Sequence, residues 1–363
     1  MRVLVAPDSF GGALSASEAA RAIAAGWARH APGDELDLVP LSDGGPGFLD
    51  AVRAARGGDL LARTVEGPFG EPVPATVLLV GDTAYVEGAQ ACGLQLTGGR
   101  RGERASSTGL GQLVAAAVAE VGAGGEVVVG LGGLGTHDGG AGMLGALGAA
   151  ADRPLDVGVA GLAGVRDVEL SGARERLHGV RLRGACETTA VLAGLFGTTK
   201  ASGASRGVPE ERLPSVDAVL DAWGAATGRL QALEERSGAG GGSGHALRLL
   251  GAELDDGLDL LAGEVGLARR ARGCEVVLTG EASLDFSGRS GRVPAAVARV
   301  AADVLAPCVV LAGRVVLGRR ELRAQGFESA YSVEDVVGAR RATDDPAGAL
   351  ADLAARVARS WSV

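Results

Sequence analysis

The residues able to do chemistry sit where apolar runs end and the chain turns. Residues 2–6 run into Pro7-Asp8-Ser9-Phe10-Gly11-Gly12, and residues 34–40 run into Ser42-Asp43-Gly44-Gly45-Pro46-Gly47. An Asp there can serve as a general base or an Mg²⁺ ligand, or it can simply cap the turn. Gly44 and Gly45 let a ligand approach the backbone, and the start of the following helix favours anions. Asp8 and Asp43 fall on equivalent points of neighbouring units, which counts against coincidence.

The richest loop is Gly130-Leu-Gly132-Gly133-Leu-Gly-Thr136-His137-Asp138-Gly139-Gly140-Ala-Gly142. It follows an apolar run and leads into a helical pattern, so its peptide N–H groups can wrap a phosphate or carboxylate. Asp138 is placed to ligate a metal or act as a base, whereas a His such as His137 more often only hydrogen-bonds within the fold. Thr279-Gly280-Glu281-Ala-Ser-Leu-Asp285, with Ser290-Gly291-Arg292, puts two carboxylates and an arginine in one loop. That set suits Mg²⁺ and phosphate, or a solvated loop with internal ion pairs. Lys200 and Arg206 lie in a third glycine-rich stretch, residues 197–207, fit for phosphate contact or for a surface loop. Glycine spacing of dinucleotide type occurs near residue 130, but far from the first strand and with no acidic residue closing a second strand, so a nicotinamide or flavin enzyme is disfavoured. No Gly-Lys-Ser/Thr, no Gly-x-Ser-x-Gly elbow and no zinc spacing occurs. Phosphoryl transfer, which needs positioning and anion holes more than a covalent nucleophile, fits best.

These loops need rigid elements behind them. Ser15-Ala-Ser-Glu18 is a capping box, so the first unit reads strand, loop, helix, and residues 34–56 repeat that order. From residue 64 the texture changes. Residues 73–80 and 83–86 read as a hairpin turning at Gly81-Asp82, residues 110–121 as a helix and 126–129 as a buried strand. Residues 152–183 are less periodic and suggest short strands and turns, residues 209–235 are helical with a break near Gly228, and residues 237–244 read as a glycine-rich loop opening a helix, the Gly238–Gly244 tract being compatible also with a flexible linker. Strand–loop–helix units return at 275–304 and 308–311, and residues 346–361 form a terminal helix. The pattern predicts a parallel α/β domain built from both ends of the chain (1–63 and 273–363), with a second α/β domain (64–272) inserted.

Composition limits the classes. A net charge of −9 with 3% aromatics gives no basic, aromatic stripe for nucleic acid. Four scattered cysteines, no signal-type leader and no long apolar run point to a cytoplasmic protein with reduced thiols and no membrane span. Lys200 is the one lysine among 35 basic residues, Ile23 the one isoleucine, and asparagine is absent. A GC-rich coding sequence accounts for all three, so an Arg in place of Lys is compatible with drift.

In their order along the chain, Ala6-Pro7-Asp8-Ser9-Phe10, Ser42-Asp43-Gly44-Gly45 with Gly47, Asp138-Gly139-Gly140-Ala141-Gly142-Met143, Thr279-Gly280-Glu281, Leu284-Asp285, Ser290-Gly291 and Pro294 resemble the bacterial glycerate kinase family over nearly the full length. The resemblance implies a flavodoxin-like α/β domain made from both termini, an inserted α/β domain, and an active site in the cleft between them. It implies transfer of the ATP γ-phosphoryl group to glycerate, giving 2- or 3-phosphoglycerate, or to a related small hydroxy acid, with Mg²⁺. Asp8, Asp43 and Asp138 become the acid, base and Mg²⁺ candidates, with Glu187 as a further Mg²⁺ ligand. Ser9, Gly44, Gly45, Gly132, Gly133, Thr136, His137, Gly139, Gly140, Arg206, Glu281, Asp285, Ser290 and Arg292 become the substrate and phosphate set, and an oligomer is compatible with it. Several family residues are replaced. Gly11-Gly12 stand for Lys-Gly, Pro46 and Phe48 for Glu and Thr, His137 for Asn, and Ser283 for Arg. These losses leave a second reading open, that of an impaired paralogue that binds a ligand or regulates.

Overall fold

The structure, a computed structural model, describes residues 1–286 and 292–362. Its strands are β1 (Arg2–Val5), β2 (Glu35–Leu38), β3 (Asp59–Glu66), β4 (Pro72–Val80), β5 (Thr83–Glu87), β6 (Glu126–Gly130), β7 (Ala150–Ala151) and β8 (Val168–Glu169). They continue as β9 (Arg181–Cys186), β10 (Glu253–Asp256), β11 (Val276–Thr279), β12 (Ser283–Leu284), β13 (Cys308–Ala312), β14 (Arg314–Val315) and β15 (Ser329–Ser332). The chain divides into two compact units, Met1–Asp43 with Asp50–Arg56 and Leu258–Val363, and Gly44–Leu49 with Gly57–Gly257.

In the first unit, β15-β13-β11-β1-β2 form a sheet whose pairs are all parallel. Counting strands along the unit gives the order 2-1-3-4-5, the flavodoxin-like arrangement, with its topological switch at β1 and β11. The three inner strands β1, β11 and β13 are short apolar runs because helices cover them, while the edge strands β2 (Glu-Leu-Asp-Leu) and β15 (Ser-Ala-Tyr-Ser) are half polar. Helix Ala16–Ala28 opens with the expected box: Glu18 N–H donates to Ser15 Oγ, and the Glu18 carboxylate accepts from Ser15 N–H. It packs on helix Pro346–Trp361 so closely that a Cβ on Gly26 would stand 2.0 Å from the Ala351 carbonyl oxygen. Val3, Val5, Ile23, Trp27, Leu278, Leu311 and Leu353 fill the core between sheet and helices.

The second unit is a six-stranded sheet, β10-β9-β6-β5-β4-β3. β10, β9, β6 and β5 run parallel, and β3 and β4 add an antiparallel edge. The turn between β4 and β5 falls at Gly81-Asp82, with Gly81 at φ 59°. β9, in the middle of the parallel part, begins at the end of residues 152–183, where the weak periodicity suggests only short strands and turns. Its Arg-Leu-Arg-Gly-Ala-Cys sequence has weak strand character, and Gly184 leaves room for the Leu254 side chain, whose end lies 2.6 Å from where a Cβ would stand. Glycine also brings helix Thr108–Val121 onto its neighbours: a Cβ on Gly109 would stand 1.8 Å from the Glu66 carbonyl oxygen, and one on Gly111 2.4 Å from that of Met143.

The units divide near residues 57 and 257, not 64 and 272. β3 pairs with β4 from Asp59 to Glu66 and so goes with the inserted sheet. The helices of residues 257–271 turn back to the first unit, where the Arg270 guanidinium grips Asp37 at 2.6 and 3.0 Å. Among the described residues, no helix is long and apolar enough to cross a membrane.

Candidate active site

At the carboxyl edge of the first sheet, the strand ends converge. Asp8 follows β1, and its N–H donates to the Gly280 carbonyl just past β11, where Thr279 Oγ1 donates back to the Ala6 carbonyl. Gly280 is obligatory there, since a Cβ would stand 2.2 Å from the Leu311 carbonyl oxygen. Ser9 N–H donates to Asp8 Oδ1 at 2.6 Å. Asp43 follows β2, and Arg292, at the start of helix Arg292–Asp303, donates to its Oδ2 at 3.0 Å. Burial, and then the charge of Asp43, push the Asp8 carboxyl from 3.8 up to about 7, against the Ser9 hydrogen bonds and the attraction of Arg292. Asp8 is thereby a group that exchanges a proton near neutral pH, with the Asp43 carboxylate, itself paired to Arg292, among the causes. Glu281 is buried beside this edge, and Asp285 accepts from Ser283 Oγ at 2.9 Å. The serine that stands for the family arginine is thus turned onto the loop's own carboxylate. Gly11 is left-handed at φ 59° and lies 3.2 Å, by its missing Cβ, from Ala282. Ser290 and Gly291 lie outside the described residues.

The glycine loop of the second unit is built differently from its expected role. Asp138 is fully buried and accepts four hydrogen bonds: from Ser107 N–H and Oγ–H at 2.8 Å each, Gly142 N–H at 3.2 Å and Gly140 N–H at 3.1 Å. Ser107 Oγ in turn accepts from Met143 N–H. Burial raises the Asp138 carboxyl above its ordinary value, opposed by these donors. Three of these donors reach Oδ2 and one reaches Oδ1, and the side chain is sealed from solvent, unlike the open base or metal ligand that the sequence suggests. Asp138 ties the loop to the start of helix Thr108–Val121.

The same holds for its neighbours. His137 is fully buried, with Nε2 3.0 Å from Thr199 Oγ1, and burial with the Arg206 charge lowers it to about 3, so it is neutral. Thr136 is likewise buried. Gly139 N–H donates to the Gly241 carbonyl, Gly139 C=O accepts from Trp223 Nε1, and Gly132 N–H donates to the Gly44 carbonyl. The N–H groups of Gly132, Gly139 and Gly140 are therefore used within the fold rather than held ready for an anion. Gly133, partly exposed, has its carbonyl engaged by Leu94 N–H, and Pro46 packs against its α-carbon face. Phe48 is buried against Tyr85, ring centroids 6.2 Å apart.

Arg206, expected to hold phosphate, is buried too. It donates to the Leu134 carbonyl, Thr198, Ser202 and Glu187, whose Oε1 lies 3.5 Å away and also accepts from Gly240 N–H. It joins three loops instead of facing solvent. The tract compatible with a linker reaches this network through Gly240 N–H and Glu187 and is buried throughout: Gly240, Gly241 and Gly242 take φ 57°, 68° and 99° in succession. A Cβ on Gly241 would stand 2.0 Å from the Thr136 carbonyl oxygen. Backbone is thus layered on backbone, which excludes every side chain larger than hydrogen.

Among the described residues, no group of three His, Cys, Asp or Glu side chains is arranged to hold a metal ion. With Asp138 sealed inside the fold and Glu187 Oε1 shared by Arg206 and Gly240 N–H, the Asp43, Asp138 and Glu187 set does not fit as a protein-built Mg²⁺ centre. Sequence reasoning also passed over Glu87, a buried carboxylate whose Oε2 accepts from Gly47 N–H at 3.0 Å and Leu49 N–H at 3.3 Å. Its signal was an acid closing the otherwise apolar strand β5 at its carboxyl end.

Comparison with known proteins supplies relatives for this arrangement. A "Glycerate 2-kinase" of Escherichia coli K12 is 34% identical over 351 residues, covering 93% of this chain and 92% of its own. An uncharacterized protein of Mycobacterium tuberculosis is 38% identical, covering 99% of this chain and 91% of its own. A crystal structure assigned as glycerate kinase 2 from Salmonella typhimurium LT2 superposes with a TM-score of 0.80 at 30% identity, covering 99% of this chain and 98% of that one. The profile described as "Glycerate kinase family" spans residues 3–362. A flavodoxin-like sheet with Asp8 at its switch point, and an inserted mixed sheet with a buried glycine loop, are thus how this chain builds the fold of the glycerate kinase family, to which it belongs.

Proposed function

We propose that this protein is a kinase that transfers the γ-phosphoryl group of ATP to glycerate or a closely related small hydroxy acid. The observation that carries the reading is the Asp8, Asp43 and Arg292 cluster at the carboxyl edge of the flavodoxin-like sheet, where open α/β folds bind their ligands. Family membership supports glycerate and ATP as the substrates. A hydroxyl that attacks phosphorus must lose its proton, and Asp8, ionised above about pH 7, is the acceptor. Asp43 keeps the affinity of Asp8 for that proton high. Arg292 holds Asp43 in place and adds a cation where an acid substrate and a phosphate meet. Magnesium accompanies the nucleotide in this reading, and no step is assigned to it.

Purified protein with ATP, Mg²⁺ and D-glycerate, scored for ADP release and for 2- against 3-phosphoglycerate, tests the proposal. Turnover that disappears in Asp8→Asn supports it; a wild type that leaves ATP intact refutes it. The second reading, an impaired paralogue that binds ligand, is favoured by Gly11 in a left-handed turn where the resemblance implies lysine and by Ser283 turned onto Asp285. Absent turnover with glycerate-induced thermal stabilisation is its signature.

A further inference from the structure

The segment Gly44–Leu49 directly follows Asp43 and is held by the strand ends of the second sheet. Gly44 C=O accepts from Gly132 N–H past β6, and a Cβ on Gly44 would stand 2.6 Å from the Ala185 carbonyl oxygen in β9. Gly47, at φ 90°, turns the chain into helix Phe48–Arg56, and Phe48 N–H donates to the Gly45 carbonyl. The first turn of that helix presents N–H groups that need acceptors. Gly47 and Leu49 donate theirs to one oxygen of Glu87, whose side chain is nearly sealed from solvent. A helix N-terminus is where a free anion binds; here a carboxylate from β5, 40 residues away in sequence, fills that place.

We propose that Glu87 is a positioning residue for phosphotransfer: it clamps the Gly44–Leu49 turn and so sets the backbone that carries Asp43, rather than leaving the helix N-terminus to bind phosphate. The activity half of this inference rests on the kinase reading above; the clamp itself does not. Glu87→Ala removes the acceptor, and Glu87→Gln keeps an oxygen for both N–H groups while removing the charge.

The experiment combines amide hydrogen exchange with steady-state kinetics on the full chain. In Glu87→Ala, exchange across residues 44–49 accelerates. The value of kcat falls by roughly 100-fold, the size expected from a misplacement of ~1 Å, with KM for ATP and glycerate nearly unchanged. The acid limb of the pH–rate profile moves down, as when Asp43 itself is neutralised. Glu87→Gln restores protection and most of kcat. Unchanged exchange in Glu87→Ala overturns the clamp, and a KM effect without a kcat effect overturns the positioning role in favour of ligand binding. If Glu87→Ala does not fold, Glu87→Asp, whose shorter arm cannot reach both N–H groups, must show the same exchange and kcat pattern, and wild-type behaviour there overturns the proposal. A wild type without turnover refutes the kinase reading while the exchange data still decide the clamp.

Discussion

Asp8 is the most informative residue to change, because one substitution moves activity and stability in opposite directions. Its carboxyl titrates near 7 in the folded chain against 3.8 ordinarily. At 1.36 kcal/mol per tenfold, that difference is about 4 kcal/mol against the charged form. The folded value lies above the unfolded one, so the stabilising effect of protonation is complete below the unfolded value and is lost as pH rises through the folded value. At pH 8 the folded chain therefore carries the cost of a desolvated anion raised further by the charge of Asp43, and Asp8→Asn removes it. The expected gain is at most about 4 kcal/mol at pH 8, on the order of 10 °C in Tm, shrinking toward nothing near pH 4. The same variant loses its proton acceptor, and kcat falls by about 10²–10⁴. Differential scanning fluorimetry from pH 4 to 8, alongside the ADP-release assay, reads both effects. In the wild type, kcat/KM falls on the acid side with a midpoint near 7. A gain in stability over wild type that is no larger at pH 8 than at pH 4, or turnover like that of wild type, refutes the account of Asp8 as a desolvated base.

Three further substitutions separate the roles assigned above. Asp43→Asn removes the like charge facing Asp8, so the acid limb of the pH–rate profile shifts below 7, and an unmoved limb shows that Asp43 does not tune Asp8. Asp138→Asn puts an amide N–H₂ among four donors in a sealed site and costs about 3 kcal/mol in urea unfolding. Wild-type stability with abolished kcat would return Asp138 to the chemistry. Gly241→Ala adds a Cβ at φ 68°, 2.0 Å from the Thr136 carbonyl oxygen, and costs at least about 3 kcal/mol. A neutral result would mean that the tract yields like the linker its composition resembles.

What the sequence made legible follows from how local each signal is. The Ser15/Glu18 box, the Gly81-Asp82 hairpin, the break at Gly228 and the helix Pro346–Trp361 are written in a few adjacent residues, and each stands in the structure where that local chemistry puts it. Asp8 and Asp43 were legible as chemical candidates because an Asp at the end of an apolar strand has few structural reasons to be there. β9 was illegible because its place in the sheet is decided by neighbours 50 or more residues away, and its own residues carry little strand preference.

Glycine misled most, because its two uses look alike in one dimension. A glycine that bares its N–H to an anion and one that lets two backbones touch both appear as absence of a side chain. Around residues 130–142 the second use prevails: Gly132, Gly139 and Gly140 spend their N–H groups on Gly44, Gly241 and Asp138, and the left-handed run Gly240–Gly242 packs against the same loop. The acids divide by the same test, of whether their oxygens are already engaged. Asp138 accepts from four donors within the fold and holds it together. Among the described residues, Asp8 is given hydrogen bonds from Ser9 alone, the charge of Asp43 and a raised affinity for a proton, which makes it costly to the fold and, in the proposed kinase, fit to take the proton of an attacking hydroxyl.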